Sequence, residues 1–254
     1  MKLLCLDDVS VSFGGVAAVR EVAMRIEAGE IRGLIGPNGA GKTSLINAIA
    51  GVVRPQSGCI RFADREITRL APELISSLGV GRTFQHVELF RDETVIENVL
   101  TGLYRHHVYG LAPAMLGLRH GAEAQARREA AELLGMFELS SFAHARAGDL
   151  PFGIQKRVDL ARAIAARPKL LLLDEPVSGM NEAEANAAIA TARSLAHERG
   201  ITLLIVEHNM RVMMRLAERI TVMHRGRVIA EGTPAEVSAD PAVIDAYLGE
   251  VAHA

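Results

Sequence analysis

The sequence has 254 residues, of which 49% are hydrophobic and 23% are charged, a composition typical of a globular protein that can bury a sizeable core. Lys and Arg number 28 against 30 Asp and Glu, so the formal net charge is -2. This balance removes the electrostatic argument for a nucleic-acid partner.

The first 30 residues predict β structure. Leu4 to Phe13 alternates apolar and polar residues partway along, Gly14-Gly15 marks a turn, and Ala17 to Ile26 is a second apolar strand. A further hairpin is predicted around residues 59–65. These strands predict a small antiparallel layer beside a main sheet. The cysteines, Cys5 and Cys59, fall in these strands and are expected to be buried, reduced thiols.

Residues 36–43 read Gly-Pro-Asn-Gly-Ala-Gly-Lys-Thr and fit the pattern G-x-x-x-x-G-K-[ST] of a phosphate-binding loop. The loop follows an apolar strand, Ile31 to Ile35, and precedes a stretch of helical composition. Glycines let several N–H groups point at a phosphate, and the helix N-terminus adds partial positive charge. Lys42 is expected to meet the β- and γ-phosphates, and the Thr43 hydroxyl to ligate Mg²⁺. The predicted nucleotide-binding residues are Gly36, Pro37, Asn38, Gly39, Ala40, Gly41, Lys42, Thr43 and Ser44.

From Thr94 to Arg167 the pattern is helical. Ala122 to Phe137 is rich in Ala, Glu and Arg, and its charges indicate a solvated helix face. Tyr104 to His120 mixes Gly, Pro, His and aromatic residues, which predicts two short helices joined by a loop.

An uninterrupted apolar run, Leu170 to Leu173, ends in Asp174-Glu175 and is typical of a strand buried on both faces of a parallel sheet. No apolar run approaches the roughly 20 residues that a membrane span requires, and acids follow the N-terminus too early for a signal peptide. The remaining predicted elements are a helix from Glu182 to Arg199, a buried strand from Ile201 to Val206, a helix from Met210 to Glu218, a hairpin around Arg225-Gly226 and a last helix from about Pro234 to Leu248.

Polar side chains follow the predicted strands, where ligands bind in parallel α/β sheets. Asp174 is the expected Mg²⁺ anchor, and Glu175 is placed to orient or deprotonate a water that attacks the γ-phosphorus. Gln85 and His208 are further candidates for the same phosphates. Taken singly, each could equally be structural; their combination with the phosphate loop favours a catalytic site.

The order of these features resembles the ATPase subunit of an ABC transporter. The resemblance rests on the phosphate loop, Gln85, a Leu-x-x-Gly-x-Gln-x-Arg segment, Leu-Leu-Leu-Leu-Asp-Glu-Pro and His208, and it covers nearly the whole chain. The segments at 82–86, 94–99 and 232–249 are similar to the ATPases of branched-chain (hydrophobic) amino-acid uptake systems. Urea or short-amide uptake ATPases and the lipopolysaccharide-export ATPase are related alternatives.

This resemblance implies an α/β fold, namely a P-loop NTPase (RecA-like) core with a small antiparallel β layer and an inserted α-helical subdomain. The chain would be a single ABC ATPase domain. Residues 1–90 and 168–235 would form the β layer and core, 91–167 the helical subdomain with the signature segment, and 236–254 the C-terminal helix.

The resemblance also implies residue roles. Phe13 would stack on adenine with Val19 nearby, Gln85 would touch Mg²⁺ and couple to the transmembrane partner, and His208 would be the switch histidine. The loop at 178–181 would cross an interface between two ATPases. The signature segment, which closes on the ATP of the opposite ATPase, would include Leu150, Pro151, Phe152, Gly153 and Gln155.

The signature departs from the usual Leu-Ser-Gly-Gly-Gln at three positions. Pro151 replaces a serine and supplies neither hydroxyl nor N–H. Phe152 replaces a glycine, and Ile154 a glutamine. The sequence therefore predicts weakened but real closure on ATP.

The implied function is ATP hydrolysis that powers solute import, with ATP and Mg²⁺ as cofactors. The implied partners are a second ATPase subunit, identical or related, two transmembrane permease subunits and, indirectly, a solute-binding protein. These partners would place the chain peripherally at the cytoplasmic face of the membrane. Val87, Leu89 and Phe90 suit a socket for a short permease helix, with core packing as an equal alternative.

Two rivals come from other classes. A soluble ABC ATPase of DNA repair or translation carries long coiled coils or tandem nucleotide domains, and this sequence has neither. A P-loop GTPase or kinase would leave Gln85, Gly153, Glu175 and His208 unexplained, and the Asn-Lys-x-Asp guanine signature does not occur.

Overall fold

A computed structural model of the chain describes residues 1–83, 87–107, 119–207 and 210–251. The chain divides into two compact units. The first comprises Met1–Arg82, Lys169–Glu175 and Gly200–Ala254, and the second comprises Thr83–Pro168 and Pro176–Arg199.

The first unit contains a four-stranded antiparallel sheet. Its strands are β1 (Lys2–Phe13), β2 (Val16–Glu27), β4 (Ser57–Phe62) and β5 (Arg65–Glu66), in the order β2-β1-β4-β5. Gly14 and Gly15, with φ of 52° and 86°, make the turn between β1 and β2. This sheet is the antiparallel layer that the sequence predicted.

A six-stranded sheet forms the rest of the β structure in the first unit. Its strands are β3 (Ile31–Ile35), β6 (Val80–Arg82), β7 (Leu170–Asp174), β8 (Thr202–Val206), β9 (Arg219–His224) and β10 (Arg227–Gly232). The order is β10-β9-β3-β8-β7-β6, and only β10 runs antiparallel to its neighbour. Every residue of β3, β7 and β8 is buried, which the sequence predicted for the strands that became β7 and β8.

The helices described in the first unit are α1 (Lys42–Ile49), α2 (Pro72–Leu78), α7 (Met210–Leu216), α8 (Pro234–Ala239) and α9 (Pro241–Val251). Sequence reasoning missed α2, although Pro72 at its first turn and Gly79 at its C-terminus, with φ of 114°, are ordinary helix boundary signals. The last helix was predicted as one, but Asp240 adopts an extended conformation before Pro241 and divides it into α8 and α9.

The core of the first unit lies around α1. Leu45, Ile46 and Ile49 of that helix are fully buried and belong to one apolar cluster with residues of both sheets. Cys5 and Cys59 are free and only partly buried, contrary to the expectation of buried thiols. In the strand register Cys5 lies opposite Arg61, and Asp7 lies opposite Cys59. The two thiols therefore share a sheet face with the exposed Arg61–Asp7 ion pair.

The second unit is helical where it is described. It contains α3 (Val95–His107), α4 (Arg119–Met136), α5 (Phe152–Ala165), α6 (Glu182–Arg199) and single 3-10 turns at Ser140–Phe142 and Ala147–Asp149. A Cβ at Gly102 of α3 would lie 2.3 Å from the Arg162 carbonyl oxygen, so glycine permits the close packing of α3 on α5. The loop predicted between Tyr104 and His120 falls largely on 108–118, outside the described residues. Among the helices in the described ranges, none has the length and apolar character to cross a membrane.

Candidate active site

The phosphate loop joins β3 to α1, as predicted. A Cβ at Gly36 would lie 2.1 Å from the Met223 carbonyl oxygen, and one at Gly41 would lie 2.2 Å from that of Ala18. These close approaches, with φ of 149° at Gly36 and 99° at Gly41, exclude any other residue at the two positions. Gly39 instead has open space where a side chain would be. The loop is therefore fixed at both ends and unobstructed at its middle.

Lys42 folds back over this loop. Its side chain is 9% exposed, and Nζ donates to the carbonyl oxygens of Gly36 at 2.6 Å and Pro37 at 2.8 Å. Thr43 is exposed and Ser44 is half-buried, both in the first turn of α1. A glycine cradle with a resident ammonium at a helix N-terminus suits a phosphate.

The two predicted acids lie at the same edge of the sheet as the phosphate loop. Asp174, which is 1% exposed, ends β7 and pairs with Val206 of β8, and Leu34 of β3 pairs with Val206 from the other side. Asp174 and Leu34 are therefore separated by two strand spacings, roughly 10 Å. Both acids and the phosphate loop follow carboxyl ends of parallel strands, where ligands bind in such sheets.

Glu175 has an unusual backbone. Its φ is 49°, in the left-handed region, while its N–H donates to the Val206 carbonyl oxygen at 2.9 Å. Left-handed backbone at a residue other than glycine costs of order 1–3 kcal/mol and is found preferentially at functional sites. The hydrogen bond holds this carboxylate-bearing residue in place directly after Asp174.

Sequence reasoning missed Arg82, the last residue of β6. Its Nη2 lies 3.8 Å from Oδ2 of Asp174, and the two side chains are 13% and 2% exposed. Burial lowers the pKa of Arg82, and the charge of Asp174 opposes this effect. The sequence did contain one signal for this role, a charged residue at the end of a short strand that leads to a predicted site.

Gln85 and His208 lie outside the described residues. The described residues that precede these two gaps are Thr83 after β6 and Glu207 after β8, which are 4% and 1% exposed. The roles assigned to Gln85 and His208 stay predictions.

The signature segment begins α5 in the second unit. Pro151 is the residue before the helix, with extended backbone, and α5 starts at Phe152. The side chain of Gln155 is not directed outward as a ligand contact would require: it is 9% exposed, and Nε2 donates to the Leu150 carbonyl oxygen at 2.8 Å. Gln155 thus stabilises the turn that presents Gly153 and Phe152.

Phe152 packs on the loop at 178–181 within the second unit. Gly179 has φ of 79°, and a Cβ there would lie 2.9 Å from Cδ1 of the Phe152 ring. Nζ of Lys156 lies 5.6 Å from the centroid of the same ring, within the range of a cation–π interaction. The ring remains 47% exposed, so the signature segment offers a fixed aromatic surface.

Phe13 and Val19, expected near adenine, lie in different environments. Phe13 ends β1 and is 48% exposed, whereas Val19 is fully buried in the core. Only the phenylalanine therefore has surface available to a base.

A phosphate loop and two acids on one edge of a parallel sheet define a P-loop nucleotide hydrolase. A family model described as "ABC transporter" matches residues 19–178, and a second, "Branched-chain amino acid ATP-binding cassette transporter", matches residues 227–253. The chain belongs to the ABC transporter family, and it is a nucleotide-binding cassette that hydrolyses ATP to drive transport. The family, fold class and ATPase activity predicted from the sequence are confirmed.

Curated relatives match along the full chain. The high-affinity branched-chain amino acid transport ATP-binding protein LivG of Salmonella typhimurium is 38% identical over 250 residues, 98% of each chain. Its counterpart BraF of Pseudomonas aeruginosa is 38% identical over 252 residues, again 98% of each. The lipopolysaccharide export system ATP-binding protein LptB of Acidithiobacillus ferridurans is 34% identical over 249 residues, also 98% of each.

Solved cassettes share the fold. The ADP conformation of an ATP-binding cassette of an ABC transporter superposes with a TM-score of 0.82 and 29% identity, covering 98% of this chain and 99% of that one. A dimeric post-hydrolysis cassette bound to ADP and Pi gives a TM-score of 0.78 and 26% identity, covering 91% of this chain and 99% of that one.

Proposed function

We propose that this chain is the ATP-hydrolysing subunit of an importer for branched-chain or other hydrophobic amino acids. The observation that carries the proposal is the 38% identity, over 98% of both chains, to LivG and BraF. The match of the C-terminal residues 227–253 to a branched-chain amino acid cassette model adds support. Urea or amide uptake and lipopolysaccharide export are the alternatives, and the LptB relative is less similar, at 34%.

In this proposal residues 36–44 hold the phosphates of ATP, and Phe13 rather than Val19 meets the adenine. The Lys42 ammonium, already held at the loop, supplies positive charge to the phosphates. Thr43, Gln85 and Asp174 would hold Mg²⁺, which supplies charge neutralisation to the phosphate oxygens.

Hydrolysis requires a base for the attacking water. Glu175 accepts a proton from the attacking water. The oxygen of that water forms a bond to the γ-phosphorus, and the bond between the γ-phosphorus and the ADP oxygen breaks. Its backbone, fixed by Val206, supports a defined position for the carboxylate. His208 would donate a hydrogen bond to the γ-phosphate.

A second cassette completes each site in this proposal. The signature residues Leu150, Pro151, Phe152 and Gly153 would face the ATP held by the opposite subunit, while Gln155 supports their turn. The dimeric cassette with ADP and Pi supports this arrangement by similarity. Because Pro151 has neither a hydroxyl nor an N–H, the residue before α5 offers the phosphate neither of the two donors that serine would provide.

Two permease subunits and a solute-binding protein would complete the transporter, with this chain at the cytoplasmic face of the membrane. We further propose that the chain is one ATPase domain, with core residues 1–90 and 168–235, helical residues 91–167 and C-terminal residues 236–254.

Phe90 is 56% exposed and Leu89 is 9% exposed, so Phe90 would offer the apolar surface to a permease helix.

The test is purification of the tagged chain with the membrane proteins that accompany it, followed by reconstitution into liposomes. We expect ATP-dependent uptake of leucine, with ATPase activity well above that of a complex carrying Glu175→Gln. Uptake of urea instead, or extraction of lipopolysaccharide, would favour an alternative. Co-purification with ribosomes or DNA, or ATPase activity no higher than that of the Glu175→Gln complex, would contradict the proposal.

A further inference from the structure

The segment 87–91 presents Phe90 on a firmly held backbone. The N–H of Phe90 donates to Oδ1 of Asn98 at 2.8 Å, and Nδ2 of Asn98 donates to the carbonyl oxygens of Phe90 and Thr94, both at 3.0 Å. Asn98 lies on α3 and is 0% exposed. A buried amide that satisfies both backbone groups of one residue fixes that residue, so the exposed Phe90 ring projects from a defined position.

Arg162 of α5 ties the same segment to the signature helix. Its Nη1 donates to the Glu88 carbonyl oxygen at 2.6 Å, and its Nη2 donates to Oδ1 of Asp159 at 2.6 Å. Asp159 is 3% exposed, and the carboxylate therefore orients the guanidinium from the buried side. The planar fork of arginine can make both bonds at once, which a single ammonium cannot do in the same geometry.

The residues before the signature make a second set of ties. Gly148 donates its N–H to the Arg91 carbonyl oxygen at 2.9 Å, and Ala147 donates to that of Glu93 at 3.0 Å. A Cβ at Gly148 would lie 3.0 Å from the Arg91 carbonyl oxygen, so glycine makes this approach easier than a larger residue would. The signature segment is thus flanked by bonds to residues 88–93 on both its N-terminal and C-terminal sides.

We propose that Arg162 is a positioning residue that makes the signature helix and the Phe90 segment move as one piece. Displacement of the signature helix when it meets ATP on a partner cassette would then shift Phe90, and with it whatever permease surface Phe90 contacts. The inference rests on the proposed function, because it needs a membrane partner to receive the motion. Arg162 carries the transmission, while hydrolysis itself stays with residues of the nucleotide site.

The selective variant is Arg162→Lys. Lysine keeps a positive charge beside the buried Asp159, but all its donors are on one nitrogen, so it lacks the second nitrogen that reaches Glu88. Asp159→Asn does the opposite: it removes the buried negative charge but keeps the link. Its amide oxygen can still accept from Nη2 of Arg162, and the bond from Arg162 to Glu88 persists. Arg167→Lys is the matched control, since Arg167 is 49% exposed and its guanidinium bonds the carboxylate of Glu129.

The experiment compares the ATPase rate of each isolated chain with its rate in the complex with co-purified permease. For Arg162→Lys we expect an unchanged rate and KM for ATP in the isolated chain, and loss of the stimulation that permease gives the wild type. Asp159→Asn and Arg167→Lys should keep that stimulation. If Arg162→Lys proves unstable by thermal unfolding, Asp159→Asn combined with Arg162→Met removes the buried charge together with the link and is expected to lose stimulation equally.

Two results would overturn the inference alone: normal permease stimulation of Arg162→Lys, or a parallel loss of the isolated chain's own ATPase rate, which would place the arginine in the cassette's chemistry. A wild-type chain that no permease stimulates would overturn the proposed function and this inference with it. The two failures can be told apart, because the wild-type chain alone, without any substitution, reports whether the permease stimulates it.

Discussion

The guanidinium of Arg82 lies beside the carboxylate of Asp174, with Nη2 3.8 Å from Oδ2, at the ends of the neighbouring strands β6 and β7. Both side chains are largely withdrawn from solvent, so each limits the desolvation cost of the other's charge. The acid assigned to Mg²⁺ is therefore held next to a fixed cation, and Arg82 contributes to the orientation of Asp174.

We expect Arg82→Met to lower the free energy of unfolding by about 1–3 kcal/mol, because it leaves a buried carboxylate without its cationic neighbour. Urea denaturation measures this. Arg61→Met is the control, since Arg61 and its partner Asp7 are 51% and 36% exposed and such surface pairs are worth about 0–1 kcal/mol. Equal losses for the two variants would contradict the role given to Arg82.

Lys42→Ala should weaken ATP binding by about 10- to 100-fold, which corresponds to the loss of one charge-assisted hydrogen bond of about 1.5–3 kcal/mol. Titration calorimetry of the isolated chain with ATP measures the affinity. Lys2→Ala, at an exposed residue that begins β1, is the control and should bind as the wild type does. Unchanged affinity of Lys42→Ala would show that the loop does not hold the phosphates.

Gly179→Ala should destabilise the chain more than Gly200→Ala does. Both glycines have positive φ, 79° and 65°, so alanine costs about 1–2 kcal/mol of backbone strain at each. Only at Gly179 does the new methyl also meet the Phe152 ring, whereas nothing lies within 4 Å at Gly200. Adding Phe152→Ala should restore part of the loss at Gly179. Thermal or urea unfolding tests this, and equal costs at the two glycines would refute the contact.

Asp159→Asn should alter the pH dependence of stability. Burial raises the pKa of Asp159 above its usual 3.8, and Arg162 opposes that rise only in part. The folded state therefore holds the proton more readily than the unfolded state, so this group stabilises the fold below about pH 4 and loses that contribution as pH rises through the raised pKa. The free energy of unfolding of Asp159→Asn minus that of the wild type should rise over this interval. Urea denaturation at a series of pH values measures it, and a difference that falls with pH would contradict the prediction.

Sequence patterns predicted the catalytic framework because its elements are encoded locally. The glycine spacing of residues 36–43 and the apolar run that ends at Asp174 each specify a strand and the polar group at its end, and parallel pairing brings the ends together. The helix Glu182–Arg199 was predicted with the bounds that the structure has, since an acid-rich start and Gly200 delimit it.

Contacts between residues distant in sequence could not be predicted in this way. The neighbours of Arg82 and Arg162 depend on strand order and helix packing, which no local pattern encodes. Val19 could be placed on a strand, but its complete burial depends on how the two sheets enclose α1. Gln155 carries the amide expected of a ligand contact, yet the start of α5 uses that amide to hold Leu150.

The most direct test of the account is the ATPase rate of Glu175→Gln measured beside its affinity for ATP. We expect hydrolysis to fall by about 100-fold or more, the scale of a lost general base, while ATP binding and ATP-dependent dimerisation persist. Glu182→Gln, an exposed carboxylate at the start of α6, is the control and should hydrolyse ATP normally. Turnover of Glu175→Gln close to that of the wild type would contradict the central claim that Glu175, at the end of β7, activates the water.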